Sequence, residues 1–275
     1  MMSLFVVDHE KCKKDNICVE ECPTGIILMK DTNTPPVPVS HAEEYCIRCG
    51  HCVAVCPYGA LSHTAMTPEE CPPVQKELLL SPEQVEHVLR SRRSIRTYKK
   101  EPVDRETITK LIDIARYAPS GHNTQPVRWH IIYDREEVQK LAGLVVDWMR
   151  FLLKEQNELA MSFHMDRVVK GWEAGMDPIC RNAPHVIVTH APKNNPAAPA
   201  ACTIAISYLD LAAPSFGLGA CWAGYFNTAA TMWPPMQEAL GLPEGDTCFG
   251  SIMIGYPKYS YYRLPRRNEP EITWR

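Results

Sequence analysis

Cys46, Cys49, Cys52 and Cys56 are spaced by two, two and three residues, and Pro57 follows the last of them. Thiolates at this spacing converge on one small volume and hold a cubane of iron and sulfide, the fourth cysteine serving a second cluster. An earlier stretch carries the same pattern in Cys12, Asp15, Cys18, Cys22 and Pro23. A shift of 34 residues lays Cys12, Cys18 and Cys22 onto Cys46, Cys52 and Cys56, and Asp15 onto Cys49. The repeat predicts two clusters with crossed ligands. Cluster I would take Cys12, Asp15, Cys18 and Cys56, and cluster II would take Cys46, Cys49, Cys52 and Cys22. Asp15 offers a hard oxygen in place of a soft sulfur, so it should hold iron less firmly than a thiolate. Cluster I is therefore expected as an Asp-ligated 4Fe-4S cluster or as a 3Fe-4S cluster, with Asp15 either a ligand or a plain loop residue. Chemistry of this kind moves single electrons.

Other uses of cysteine fit less well. A structural zinc site needs four ligands and no doubled, proline-terminated repeat. Disulfides would go with secretion, whereas the opening Met1–Val7 run is short and is followed by Asp8, His9 and Glu10, unlike a secretory leader. A reducing, cytoplasmic setting is expected. The formal net charge of −3 gives no reason to expect nucleic acid or an anionic membrane surface as partner. No apolar run approaches the ~20 residues that cross a bilayer.

A chain of 275 residues leaves room for two domains. Residues 1–66 read as a small ferredoxin-like iron–sulfur domain whose clusters act as staples, with an extended loop at Thr34–Pro38. Residues 67–82 read as a proline-bearing linker outside regular structure. From residue 83 the pattern alternates between helix and strand. Ser81 and Pro82 open a helix as cap and first residue, and another begins near Asp104. Strands are expected at 129–133, 186–189 and 249–255, with one long helical stretch from Val138 to about Trp172. Residues 200–216 are apolar almost throughout and predict a helix buried on all sides. The class is α+β.

Four segments of the larger part could hold a ligand. Ser91–Tyr98 brings Arg92, Arg93, Ser94 and Arg96 to a helix end, and arginine forks suit phosphate and carbonyl oxygens. Ala118–Pro126 is a polar loop after a helix. Gly217–Gly224 reads as a small-residue turn open to backbone approach, with Trp222 where a dinucleotide fingerprint would need its last glycine. The fourth segment runs from Gly255 to Arg266 and Arg267.

In this order the segments resemble the nitroreductase family of FMN flavoproteins. With the cysteine repeat in front, the whole chain is similar to the nitroreductase–ferredoxin fusion subfamily. The resemblance implies a dimeric α+β sandwich over residues 83–275 with FMN at the subunit interface. It places Arg92 and Ser94, with Arg93 beside them, at the FMN phosphate and ribityl chain, and Arg96 near flavin N1 and O2. Pro119, Ser120, Gly121, Asn123 and Gln125 match the loop that reaches the flavin of the other subunit. Trp222, Ala223 and Gly224 fall at the turn facing flavin N5, and Arg266 and Arg267 match the C-terminal phosphate contact. No catalytic side chain is assigned. His122 is either a proton donor above the ring or a rim residue. Tyr256, Tyr259, Tyr261 and Tyr262 line either a pocket or a dimer surface. Cys71 stands alone and is expected to be unliganded. Cys180, Cys202, Cys221 and Cys248 read as packed thiols, with Cys221 adjoining the flavin turn.

The function implied is an FMN-dependent oxidoreductase fed through two iron–sulfur clusters. Its acceptor would be a small nitroaromatic, quinone or activated alkene, and its donor either a redox protein or NAD(P)H. The alternative is an electron-transfer or redox-sensing module that docks on a protein partner without turning over a small molecule. An open apolar pocket over the flavin would favour the enzyme.

Overall fold

The computed structural model describes residues 3–275. The chain forms two compact units. One comprises the residues through Leu80 together with His122–Thr124, and the other comprises Ser81–Gly121 and Gln125–Arg275.

The first unit repeats in its backbone what the sequence repeats in its cysteines. Strands β1 (Phe5–Val7) and β4 (Leu61–His63) pair antiparallel, with Phe5 opposite His63. Strands β2 (Ile27–Leu28) and β3 (Val37–Pro38) form a second ribbon, so the expected loop at Thr34–Pro38 ends in a strand. The short helices α1 (Ile17–Glu20) and α3 (His51–Ala54) occupy equivalent places, with α2 (Ala42–Tyr45) between them. Before each equivalent helix the backbone turns left-handed twice, at Lys14 and Asn16 and again at Arg48 and Gly50. Non-glycine residues rarely adopt this conformation, so both ligand loops are held in the same strained curl. Leu4, Phe5, Ile26, Ile27, Val53 and Leu61 form a small core, and Cys71 packs against it. Residues 67–80, read as linker, thus fold with this unit. Pro68 heads a 3-10 turn, Pro68–Glu70, closed by a Thr67–Glu70 capping box, because proline is compatible with a first helical position.

The second unit is built on a four-stranded antiparallel sheet. Its strands are β5 (Arg128–Ile132), β6 (His185–Pro192), β7 (Gly219–Trp222) and β8 (Asp246–Gly255), in the order β5-β6-β8-β7. Side chains alternate between two faces. Ile187, Ile252 and Ile254 join α5 (Arg105–Ala115) and α9 (Ala198–Ala212) in one core. Val186, Val188 and Met253 join α6 (Arg135–Lys154), α8 (Met165–Glu173), α10 (Gly224–Met232) and α11 (Pro234–Leu240) in the other. Helices cover both faces, so the central strands are apolar on both sides. The class is α+β, as the sequence implies.

Three local expectations need correction. The stretch from Val138 to Trp172 is three helices, because Asn157 caps α7 (Glu158–Ser162) and the left-handed His164 precedes α8. Gly217–Gly224 is the edge strand β7 running into the N-terminus of α10, rather than a turn. Helix α9 is buried along one stripe only. Thr203 and Tyr208 are exposed in the single chain, and small apolar residues elsewhere on the helix mask this amphipathicity.

Helix α4 (Pro82–Ser91) starts at the expected cap. Ser81 Oγ accepts from the Gln84 N–H, and Gln84 Oε1 accepts from the Ser81 N–H. Its apolar residues Val85, Val88 and Leu89 are exposed in the single chain.

Candidate functional site

In the first unit two small cavities divide the cysteines. Cys12, Asp15, Cys18 and Cys56 line one, and Cys22, Cys46, Cys49 and Cys52 line the other. Each set surrounds a space rather than a point. Among the described residues no three His, Cys, Asp or Glu side chains come close enough to hold a single metal ion. The Cys18 thiol is pushed up to about 11, first by burial and then by Cys56 and Cys12. Burial, then Cys49, Cys22 and Cys46, push Cys52 up to about 11. Four anionic ligands this close need a cationic core between them, which is what an iron–sulfur cluster offers.

Backbone amides face the sulfurs. Arg48 N–H donates to Cys46 Sγ and Ala60 N–H to Cys56 Sγ, each at 3.4 Å. Burial acts to raise the Cys22 thiol, but the amides of Ile26, Thr24 and Gly25 and the Thr24 hydroxyl outweigh it and hold its pKa below the ordinary value. The donor set therefore fits two clusters. Asp15 lines its cavity while its Oδ1 accepts from the Ile17 N–H at 3.4 Å, so the geometry accommodates both readings of this residue.

His63 escaped the sequence reading. It is buried, and its Nε2 lies 3.4 Å from Cys46 Sγ. Burial, then Arg48, lower its pKa. The 34-residue shift could have found it, because it carries Met29 onto His63.

In the second unit the arginine segment after α4 is laid against β7. Ile95 N–H donates to the Ala220 carbonyl at 2.9 Å, and Tyr98 Oη donates to the Ile95 carbonyl at 2.6 Å. Gly219 makes this approach possible, since a Cβ there would collide with the Ile95 side chain. The segment then parts its arginines. Arg96 reaches the Ser94 carbonyl and lines a cavity of about 350 Å³ with Cys221, Trp222, Ala223 and Gly224. Trp148, Phe163, Met165, Arg181, Tyr225 and Met253 are also part of that wall. Most of these come from the expected helical stretch and its surroundings, where composition alone singles out no one side chain. A Cβ on Gly224 would meet nothing within 4 Å, so the start of α10 is open to a ligand. Burial raises the Cys221 pKa against the pull of Arg96, which keeps it a thiol.

Arg92 and Arg93 face another space, of about 610 Å³, shared with Arg90, Arg266, Arg267 and Glu269. Arg92 Nη1 lies 3.4 Å from Ser94 Oγ and 3.3 Å from Asp210 Oδ2. Asp210 is a single acid in the apolar run of α9, and that isolation is the signal the sequence carried for it. Burial raises its pKa, and Arg92 opposes the shift. Arg93 donates to the carbonyls of Arg92 and Arg90, and its buried Nε has no partner among the described residues. Excess guanidinium and an orphaned buried donor fit a phosphate, and the open start of α10 beside Arg96 fits the ring of a flavin.

The loop at Ala118–Pro126 is divided between the units. Ser120 Oγ accepts from the Gln125 N–H at 2.9 Å in the second. Asn123, grouped with the first, donates from Nδ2 to the carbonyls of Ile47 and Arg48 at 3.2 and 3.0 Å. Neither Pro119 nor any residue from Ser120 to Gln125 lines the two cavities of the second unit just described.

Comparison with known proteins agrees with both units. Residues 89–256 match the Nitroreductase family, and residues 7–60 match the 4Fe-4S dicluster domain. The chain belongs to the nitroreductase family and carries an N-terminal 4Fe-4S dicluster domain. It is 28% identical over 187 residues to an Archaeoglobus fulgidus protein provisionally named an NADH dehydrogenase/NAD(P)H nitroreductase, covering 66% of this chain and 91% of that one. It is 27% identical over 186 residues to the iodotyrosine deiodinase of Thermotoga neapolitana, covering 64% and 90%. The fold matches a Bacteroides fragilis nitroreductase solved with bound FMN, at a TM-score of 0.59 and 20% identity, covering 69% of this chain and 97% of that one. Among the described residues no helix is long and apolar enough to cross a membrane.

Proposed function

We propose that this nitroreductase-family oxidoreductase is FMN-dependent, receives electrons through two iron–sulfur clusters and passes them to a small acceptor. The observation that carries the reading is the cavity of about 350 Å³ whose lining Arg96 and the β7–α10 junction share with the aromatic side chains of Trp148 and Phe163. FMN bound there would accept electrons singly from the clusters and deliver them in pairs.

Arg92, Arg93, Ser94, Arg266 and Arg267 would hold its phosphate and ribityl chain. Arg96 would place positive charge beside N1 and O2, favouring the reduced ring. Trp222, Ala223 and Gly224 would present backbone toward N5. Cys12, Asp15, Cys18 and Cys56 would hold the first cluster, and Cys46, Cys49, Cys52 and Cys22 the second. Residues 1–66, with 67–80 folded onto them, would then serve electron transfer, and residues 83–275 would form the flavin domain.

The acceptor belongs to the nitroaromatic, quinone or activated-alkene class. The relatives' names, a nitroreductase and a deiodinase of an aromatic amino acid, support reduction of substituted aromatics. An accessible cavity of this size favours an enzyme over a docking module. A homodimer would cover the exposed face of α4 at Val85, Val88 and Leu89, and Pro119, Ser120, Gly121, Asn123 and Gln125 would complete the partner's flavin site.

Anaerobic stopped-flow mixing with NADH, NADPH and reduced ferredoxin in parallel tests the route. Ferredoxin should bleach the flavin through the clusters, and a nitroaromatic should restore its colour. A flavin that is reduced by a donor but reoxidised by no small acceptor would overturn the enzyme reading in favour of a docking module.

A further inference from the structure

The two ligand cages are built from one repeat, and one of the positions at which they differ, besides Asp15, bears on hydrogen bonding to a ligand sulfur. His63 lines the Cys46 cage, and its repeat counterpart Met29 lines the Cys12 cage. Histidine can donate a hydrogen bond to a ligand sulfur and methionine cannot.

The donor is fixed by its surroundings. His63 lies in β4 opposite Phe5, and its backbone exchanges hydrogen bonds with Met66. Its Nδ1 accepts from the Ala65 N–H at 2.9 Å. A ring nitrogen that accepts carries no proton, so the proton of the neutral ring sits on Nε2. That nitrogen lies 3.4 Å from Cys46 Sγ, a reasonable N–H···S contact. The residue is 6% exposed, so water competes poorly for either nitrogen.

We infer that His63 donates from Nε2 to Cys46 Sγ and thereby raises the reduction potential of cluster II above that of the same cage without the donor. This rests on the reading that Cys46 ligates that cluster. Reduction adds negative charge that spreads onto the ligand sulfurs. A donor aimed at one of them stabilises the reduced state more than the oxidised state, and hydrogen bonds to sulfur are among the levers that set such potentials. The Cys12 cage carries Met29 instead. The repeat thus separates the two clusters energetically with a side chain that ligates neither.

The test is an anaerobic redox titration of the full chain, followed by electron paramagnetic resonance, after iron analysis and the spectrum of the reduced wild type establish that cluster II is present. His63→Met installs the repeat's own alternative and should lower the cluster II midpoint, by about 59 mV for a tenfold loss in the reduction equilibrium. His63→Gln keeps an amide donor and should restore most of the shift, whereas cluster I should move in neither variant. Equal shifts in the two variants, or none, would overturn the inference. If His63→Met fails to assemble cluster II, wild-type protein carrying histidine labelled with nitrogen-15 in the ring alone decides the matter. Electron–nuclear double resonance on reduced cluster II should then show a ring-nitrogen coupling that disappears in His63→Gln protein made with the same label, where the donor is an unlabelled amide. No coupling in the wild type refutes the contact. A wild type without cluster II overturns the ligand reading and this inference together.

Discussion

Arg92 has two claims on it, and the Arg92–Asp210 pair separates them. The Asp210 side chain is 7% exposed and that of Arg92 is 27% exposed. Arg92→Ala leaves a carboxylate buried in the apolar surroundings of α9 without its cation. Breaking a buried pair from one side costs about 3–5 kcal/mol, and the partial exposure of Arg92 puts this case near 3. For a unit of this size that is a fall of about 6–12 °C in melting temperature. Arg92→Ala with Asp210→Asn removes the stranded charge and should recover more than half of the loss. All six tryptophans lie between Trp129 and Trp274, so urea unfolding followed by tryptophan fluorescence reports on the second unit. The pH dependence has a definite sign. Burial raises the pKa of folded Asp210 above its usual value. Its contribution is then fully present below the unfolded pKa and is lost as pH rises through the folded one. Removing Arg92 raises the folded pKa further, so the penalty of Arg92→Ala should be largest at neutral pH and shrink toward pH ~4. A coupling energy below about 0.5 kcal/mol in the double-mutant cycle, or a penalty independent of pH, would refute the argument. A loss of FMN affinity in Arg92→Ala that persists in the double variant would assign Arg92 to the phosphate as well.

Other expectations follow from the same geometry. Asp15→Cys should stop mild ferricyanide from converting cluster I into a three-iron form, read by electron paramagnetic resonance, and equal iron loss in wild type and variant would refute the exchangeable-ligand argument. Arg96→Ala should lower the flavin midpoint in a spectroelectrochemical titration even where FMN stays bound, because the cation beside the reduced ring is gone; an unchanged midpoint would remove Arg96 from that position. Gly219→Val should push Ile95 off β7, destabilise the second unit by about 1–3 kcal/mol and weaken FMN retention, which calorimetry and flavin release on desalting would measure. Sedimentation of the flavin-loaded protein should give a dimer, and a flavin-loaded monomer would contradict the role proposed for the α4 face.

What the sequence made legible was whatever is encoded locally or by repetition. Cysteine spacing depends on a few neighbouring residues, so the repeat alone groups Cys12, Asp15, Cys18 and Cys56 apart from Cys22, Cys46, Cys49 and Cys52, the same groups that line the two cavities. The Ser81 cap and Asp104 cap are likewise short-range, and the structure begins helices at both. The apolar runs of β6 and β8 announced buried strands because both faces of the sheet are covered. Edge strand β7 was hidden because its role lies in its glycine. Gly219 is there to admit Ile95, and a sequence read as segments cannot know which side chain arrives from more than a hundred residues away. The helix break after Lys154 was hidden for a different reason, since the polar run from Lys154 to Glu158 reads equally as the solvent face of one helix or as a gap between two.

The site residues that escaped reading share one property. Asp210, Arg181 and His63 act across the fold, each through a partner or a cavity wall supplied by a distant element. Asp210 looks like an error in an apolar helix until Arg92 is seen beside it. His63 looks like one of ten histidines until the ring is found between the Ala65 amide and the Cys46 sulfur. In both cases the informative observation was a mismatch, an acid among alanines and a histidine where the repeat has methionine. A buried polar group that breaks a local pattern must be satisfied somewhere, because leaving it unpaired costs more than the pattern gains. The search for its partner leads from α9 to the arginine segment, and from β4 to the cluster cage.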